Sequence, residues 1–328
     1  MLEFDKLVLA KYSFEVKNIL PFRDGYILAT SEGRKFLKRV IQPEGRILFI
    51  HGAKEHLYKN NFKNIDRYVC TMEGNPFVKN DTEMYTVCDF VEGIECNFDS
   101  RNDIAGASRL LAQMHKASKG YESPSDNIAR SDLGRLPQYF TKRLDEIKKL
   151  KKVAKRGKTK FDYLFLEHVD YFFKIGEHAI EQISGKTYEE VVEEVRKEKS
   201  FCHHDYTHHN LMLRDGKMYA LNFDFCCYEL KTYDVANLLR RKMRKCNWDV
   251  NEAKFIIDQY MRVEPLSEKD IFVLKVMLQF PQKLWRVVNK YYNSKRSWSE
   301  KSYISKLQEV VDEIEYHREF MNKFDSIL

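Results

Sequence analysis

The chain has 328 residues, which at roughly 150 residues per domain means two domains or one domain in two lobes, and excludes a single small module. Hydrophobic residues make up 43%, aromatic residues 13% and charged residues 32%, enough apolar material for a sizeable core and too much for a disordered chain. Lys and Arg outnumber Asp and Glu by 56 to 49, a net charge of +7 that suits anionic ligands and falls short of a nucleic-acid-binding composition.

In chain order, Met1-Leu2-Glu3-Phe4-Asp5 carries acids where a signal peptide has a basic region, and no apolar run approaches the ~18 residues of a membrane span. The first ninety residues read as strands interrupted by one helix. Phe14–Leu20, Tyr26–Thr30 and Lys35–Ile41 are β-prone, with Ser31-Glu32-Gly33 as the hairpin turn between the last two. Ile47, Ile50, Leu57 and Tyr58 recur at helical spacing. Tyr68–Thr71, a Gly74-Asn75-Pro76 turn, Phe77-Val78 and Met84–Phe90 complete an expected five-stranded antiparallel sheet. Val91-Glu92-Gly93 reads as the link to the next part.

Beyond it the chain is mostly helical. Ser100-x-x-Asp103, Ser267-x-x-Asp270 and Ser297-x-x-Glu300 are capping boxes that open three helices. Behind the first, Ile104, Ala107, Leu110, Leu111 and Met114 form an apolar stripe. Pro281 is expected to kink the penultimate helix. Eight Lys or Arg residues in 148–160 and the acids Glu189, Glu190, Glu193, Glu194 and Glu198 read as solvated helix faces of opposite sign. Seven cysteines (Cys70, Cys88, Cys96, Cys202, Cys226, Cys227, Cys246) without a C-x-x-C pair signal neither a disulfide framework nor a zinc ribbon, so reduced, intracellular thiols are expected.

The chemistry concentrates in residues 201–225. Four histidines and an aspartate between His203 and His209 admit a metal site, an HD-type phosphohydrolase at His204-Asp205, or a phosphotransferase loop H-x-D-x-x-x-x-N at His203, Asp205 and Asn210. Leu211–Leu213, the turn Arg214-Asp215-Gly216-Lys217 and Met218–Phe223 predict a β-hairpin after the cluster. That hairpin argues against an HD site, which sits on helices. No second His or Cys cluster has ligand spacing, and adjacent Cys226-Cys227 are poor partners on one ion. Phosphoryl transfer explains the spacing: Asp205 supplies a carboxylate for the acceptor hydroxyl, Asn210 an oxygen for Mg²⁺, and the hairpin returns Asn222 to the same place. Lys38, on the third strand, is placed to hold phosphates, with Glu55 on the next helix as its pairing partner.

Asp89-Phe-Val-Glu-Gly93, Leu110-Leu-Ala-Gln-Met-His-Lys-Ala117, the H-x-D-x-x-x-x-N loop, Asn222-Phe-Asp-Phe225 and Tyr233-Asp-Val-Ala236 together resemble the aminoglycoside phosphotransferase and choline kinase group of the protein-kinase-like fold. Within it, the phrases FLKR, HKASKGY, HHDYTHHN and DFCCYELKTYDVANLLRR resemble the CotS-type spore coat family of endospore-forming bacteria. The resemblance implies an α+β, two-lobed kinase-like fold, with a small lobe at 1–90 and a helical lobe at 91–328 that carries the catalytic loop and an acceptor pocket.

By the same resemblance, Asp205 is the catalytic base, Lys38 the phosphate-binding lysine with Glu55, and the hinge with Phe90 and Glu92 contacts the adenine. Asn210, Asn222 and Asp224 surround Mg²⁺, and His203 and Asp234 are structural. ATP and Mg²⁺ are the implied cofactors. The implied role is a kinase-like protein of sporulation, degenerate and acting through other spore coat proteins, in the mother-cell cytoplasm and the coat. The alternative is a working Mg-ATP-dependent small-molecule phosphotransferase. Two departures bear on the choice. Asn222 stands where transferring members carry aspartate, and Leu20–Gly25 has a single glycine, a weak phosphate cradle. Only eleven residues separate Asn222 from Asp234, too few for a peptide-holding activation segment.

Overall fold

A computed structural model describes residues 3–124, 127–294 and 299–327. The chain packs as two units, one from Met1–Ser131 with Lys199–Tyr228, the other from Asp132–Glu198 with Glu229–Leu328.

In the first unit, a short helix α1 (Glu3–Leu9) precedes β1 (Val16–Phe22), β2 (Gly25–Thr30) and β3 (Gly33–Val40). Helix α2 (Glu44–Lys59), β4 (Val78–Asn80) and β5 (Glu83–Asp89) follow. The five strands form one antiparallel sheet in the order β1-β2-β3-β5-β4. The expected sheet is therefore present, with one change of membership. Residues 68–71 do not form a strand; Tyr68 makes a single bridge to Cys88 and Val69 N–H donates to Val87 O, beyond the Glu83–Tyr85 stretch of that edge which β4 covers. Leu28, Leu37, Tyr85 and Val87 bury one face of the sheet against Val8, Tyr12 and Phe14.

The tight β1–β2 turn depends on Gly25. It pairs with Lys38 in the sheet, and a Cβ there would lie 2.3 Å from Leu37 O and 2.7 Å from the Phe36 ring.

A two-residue β6 (Ile94–Glu95) leads into α3 (Arg101–Ser118), capped by Ser100, whose Oγ accepts from Asp103 N–H. After β7 (Phe201–Cys202), a 3₁₀ turn His208–Asn210 opens the expected hairpin of β8 (Leu211–Arg214) and β9 (Lys217–Ala220). β8 also pairs with β6. The hairpin ends sooner than expected: Asn222 is left-handed at φ 63° and Phe223–Phe225 is a 3₁₀ turn. The strand geometry expected for Asn222 is thus replaced by a turn, which also holds Asp224. β10 (Cys227–Tyr228) pairs back to β7.

The second unit is helical: α4 (Leu136–Ala154), α5 (Lys160–Ile183), α6 (Lys186–Glu198), α7 (Lys231–Met243), α8 (Val250–Met261), α9 (Glu268–Gln279), α10 (Gln282–Asn293), α11 (Glu300–Asp312) and α12 (Ile314–Lys323). Its core joins α4, α5, α10 and α11 through Leu144, Ile147, Phe165, Val169, Val288 and Leu307. Ser267 and Asp270 form the expected capping box of α9. Pro281 does more than kink a helix: it separates α9 from α10, since it can neither donate nor continue the turn. The expected cap Ser297 lies outside the described residues, and Ser299 caps α11 by accepting from Ser302 N–H. Among the described residues, no helix is long and apolar enough to cross a membrane.

Candidate active site

A pocket opens inside the first unit, concave and lined by both apolar and polar side chains, as small-ligand and cofactor sites are. The sheet contributes Phe22, Phe36, Lys38 and Thr86; α2 contributes Lys54; the strand end and link contribute Cys88, Asp89, Phe90 and Val91; the loop and hairpin contribute Asn210, Met212, Leu221, Asn222 and Asp224.

Five residues expected from the sequence therefore meet in one place: Lys38, Phe90, Asn210, Asn222 and Asp224. Asp205 stands one bond behind, since Asn210 Nδ2 donates to its carboxylate at 2.8 Å and to its carbonyl at 2.9 Å. Asn222 Nδ2 in turn donates to Asn210 Oδ1 at 3.3 Å. The three side chains form one directed chain, 222 to 210 to 205, that uses the oxygen of Asn210.

The loop is held rigidly from behind. His203, fully buried, has Leu221 O at 2.9 Å from Nε2 and accepts Asp205 N–H on Nδ1 at 3.3 Å. These bonds place the ring proton on Nε2. Tyr206 Oη donates to Ala107 O at 2.7 Å.

Lys38 does not pair with Glu55. Its ammonium lies 2.9 Å from Asp224 Oδ2 and 3.0 Å from Asp24 Oδ2. Burial works against the charged form, but Asp224 and then Asp24 outweigh it and hold the lysine above its ordinary pKa. Glu55 takes Arg67 instead, in a two-pronged contact at 2.9 and 2.7 Å, and is absent from the cavity wall. The physical reason is helical phase. Residue 54, not 55, continues the stripe of Ile47, Ile50 and Leu57 that α2 buries.

At that position sits Lys54, 1% exposed. It donates to Asp66 O at 2.7 Å and stands 3.1 Å from Asp66 Oδ1, with the Tyr68 ring 4.2 Å away. Asp66 Oδ2 accepts Asn222 N–H at 3.1 Å. Sequence reasoning missed Lys54, Asp66 and Asp24; a lysine in register with an apolar stripe was the available signal for the first.

Asp224 is fixed by its backbone, whose carbonyl accepts from Gln42 Nε2 at 3.2 Å and Arg46 at 3.1 Å. The β1–β2 turn is tied down as well: Arg23 pairs with Glu95 and donates to His209 O at 3.3 Å, and Glu95 meets His209 Nδ1 at 3.0 Å. At the link, Phe90 meets Phe22 edge-on at 5.6 Å, whereas Glu92 bonds Arg34 at 2.8 Å, outside the cavity wall. Asp234, fully buried, lies on α7 in the second unit.

Comparison with known proteins places the fold and the family. The family model described as "Spore coat putative kinase YutH" matches residues 6–324. Spore coat protein S of Bacillus subtilis is 26% identical over 328 residues, covering 98% of this chain and 93% of the relative. An aminoglycoside phosphotransferase from Alicyclobacillus acidocaldarius has a similar structure, with a TM-score of 0.87 at 21% identity over 98% of this chain and 95% of that one. Spectinomycin phosphotransferase in complex with ADP and spectinomycin superposes with a TM-score of 0.60 at 12% identity, covering 96% of each chain. A microcompartment-associated aminopropanol kinase gives 0.59 at 13% identity, over 99% of this chain and 98% of that one. The fold is protein-kinase-like, with a five-stranded antiparallel sheet and a mainly helical remainder.

Proposed function

Because the chain belongs to the spore coat family of the YutH model, we propose that it serves the spore coat as a degenerate kinase: it binds a nucleotide weakly, transfers no phosphate, and acts through other coat proteins. The proposed lobe boundary is the link near residue 90. The proposed nucleotide site is the cavity of the first unit, with the adenine against Phe90 and the phosphates toward Lys38.

One observation carries the reading, the hydrogen-bonded chain from Asn222 through Asn210 to Asp205. A kinase-like site needs oxygen donors for Mg²⁺, of which one or two are normally carboxylates. Of the three groups expected around the ion, Asn222 is neutral and donates its amide to Asn210, and Asp224 is bonded to Lys38. Asp66, the next carboxylate, faces Lys54. This donor set does not suit Mg²⁺, because both carboxylates, Asp224 and Asp66, are already paired with a lysine. Asp205 and Lys38, which an active small-molecule phosphotransferase would also need, favour the second reading.

The discriminating experiment measures ATP binding by calorimetry and ADP release, with Mg²⁺, on wild type, Asp205→Ala and Asn222→Asp. The degenerate reading expects weak binding and no turnover in wild type, unchanged by Asp205→Ala. Turnover in wild type that Asp205→Ala abolishes would establish the phosphotransferase instead. Absence of any nucleotide binding at millimolar ATP would remove the nucleotide from either reading.

A further inference from the structure

The second unit holds a pocket of its own, walled by α5, α7, the α9–α10 junction and the α11–α12 junction. Trp248, Phe172 and Phe280 supply an aromatic side. The polar side is dominated by Arg240, Arg244 and Lys283, and among the lining residues Glu313 alone is a carboxylate.

Glu313 is already shared. Its Oε1 accepts from Lys283 at 2.7 Å; its Oε2 accepts the Trp248 indole N–H at 3.3 Å and lies 3.9 Å from Arg244 Nε. Arg244 Nε is buried and makes no hydrogen bond. Arg240 bonds neutral oxygens, the Met277 carbonyl and Asn237 Oδ1. Arg143, bonded to Gln282 Oε1 at 2.8 Å and lying over the Trp285 ring, adds positive charge nearby, as does Arg286. Burial first, and then repulsion from Arg244, bring Arg240 down to about 9. Burial, with the same arginines, keeps His317 neutral.

Buried like charges repel strongly, and a buried guanidinium donor without a partner carries a desolvation cost. An anion seated among these groups relieves both. The planar fork of arginine matches a tetrahedral oxyanion, and several cations at one end match a doubly charged one. We propose that this cavity binds a phosphate monoester dianion, with its oxygens on Arg240, Arg244 and Lys283 and its organic part against Trp248 and Phe280. The site is independent of the nucleotide cavity of the first unit.

The test uses the full chain in phosphate-free buffer at near-neutral pH, with ionic strength held constant by sodium chloride. Inorganic phosphate and phenyl phosphate are titrated by thermal unfolding and calorimetry, with acetate as the control anion. Both phosphates are expected to raise Tm with concentration, phenyl phosphate more strongly, while acetate does not. Arg244→Met is expected to weaken phosphate binding at least about tenfold, the loss of one charge-assisted contact. Its unfolding without ligand is measured alongside, because the change removes the approach to Glu313 as well as a buried positive charge. Arg240→Lys, which keeps the charge and loses the fork, provides a second variant with the same expected loss. Lys197→Met, an exposed change on α6 that touches neither cavity, should leave phosphate binding unchanged. No response of wild type to phosphate, an equal response to acetate, or an undiminished response in both arginine variants overturns the proposal.

Discussion

Asn222 donates its side-chain amide to Asn210 Oδ1 across 3.3 Å, while its backbone N–H is held by Asp66 at 3.1 Å. An aspartate at 222 has no proton to give, so Asn222→Asp breaks the first bond and sets a new negative charge beside Asp66. Asparagine and aspartate both tolerate the left-handed backbone found there, so the fold survives. The variant is expected to lose about 1–3 kcal/mol in EDTA, the cost of an orphaned buried acceptor, and to recover part of it in Mg²⁺, which wild type does not. Urea unfolding in the two buffers measures this, and a variant blind to Mg²⁺ would show that no divalent position exists there.

Asp24 competes for the ligand that Lys38 is proposed to hold. Its carboxylate lies 3.0 Å from the ammonium, at the tip of a turn tied to Glu95 and His209 through Arg23. A phosphate reaching Lys38 meets an acid already in place. Asp24→Asn is therefore expected to tighten ATP binding several-fold, toward the ~10-fold that 1.4 kcal/mol represents. The pair is mostly exposed on the aspartate side, which caps the gain. Calorimetric titration of the two proteins decides it; equal affinities would mean that Asp24 moves aside without cost.

The contrast between Lys38 and Lys54 shows where sequence reading stops. The strand carrying Lys38, the caps at Ser100 and Ser267, and the hairpin after Asn210 follow local rules, and the structure has all of them. The missing aspartate at 222 was also visible, because it interrupts a motif. Partnerships across the fold were not. Glu55 fits the lysine's partner by residue type, yet the helix turns it toward Arg67. For Lys54 the one local mark of burial is its register with the Ile47, Ile50, Leu57 stripe. Asp24 and Asp66 sit in loops, where no periodicity announces a direction. The cationic cavity gathers Arg240, Lys283 and His317 from segments far apart in sequence, so no spacing could reveal it.

Lys54 and Asp66 make a buried pair, with side chains 2% and 12% exposed. Removing one partner leaves the other charge buried and uncompensated, which typically costs about 3–5 kcal/mol. Lys54→Met is expected to fall in that range by urea unfolding. Adding Asp66→Asn should return much of the loss, because the amide keeps an oxygen for Asn222 N–H without the charge. If the double variant is as unstable as Lys54→Met plus the separate cost of Asp66→Asn, the two residues are not energetically coupled.

His317 sets a pH dependence of known sign. Its Nε2 lies 3.1 Å from Leu278 O, its ring lies 4.5 Å from Trp248, and burial, with Arg240 and Arg244 adding to it, lowers its pKa to about 4 from 6.5. Between those values the unfolded chain binds the proton and the folded chain does not, so stability rises with pH across the window. The contribution is fully present above pH 6.5 and is lost as pH falls toward 4, amounting to roughly 3 kcal/mol at one pKa unit per 1.36 kcal/mol. Other groups, among them His51, which burial also lowers, titrate in the same window, so the informative quantity is a difference. His317→Gln, which retains an N–H for Leu278 O, is expected to be less sensitive to acid than wild type by that amount. Urea midpoints for both proteins on either side of the window provide the measurement, and parallel profiles would mean that the histidine is protonated in the folded chain.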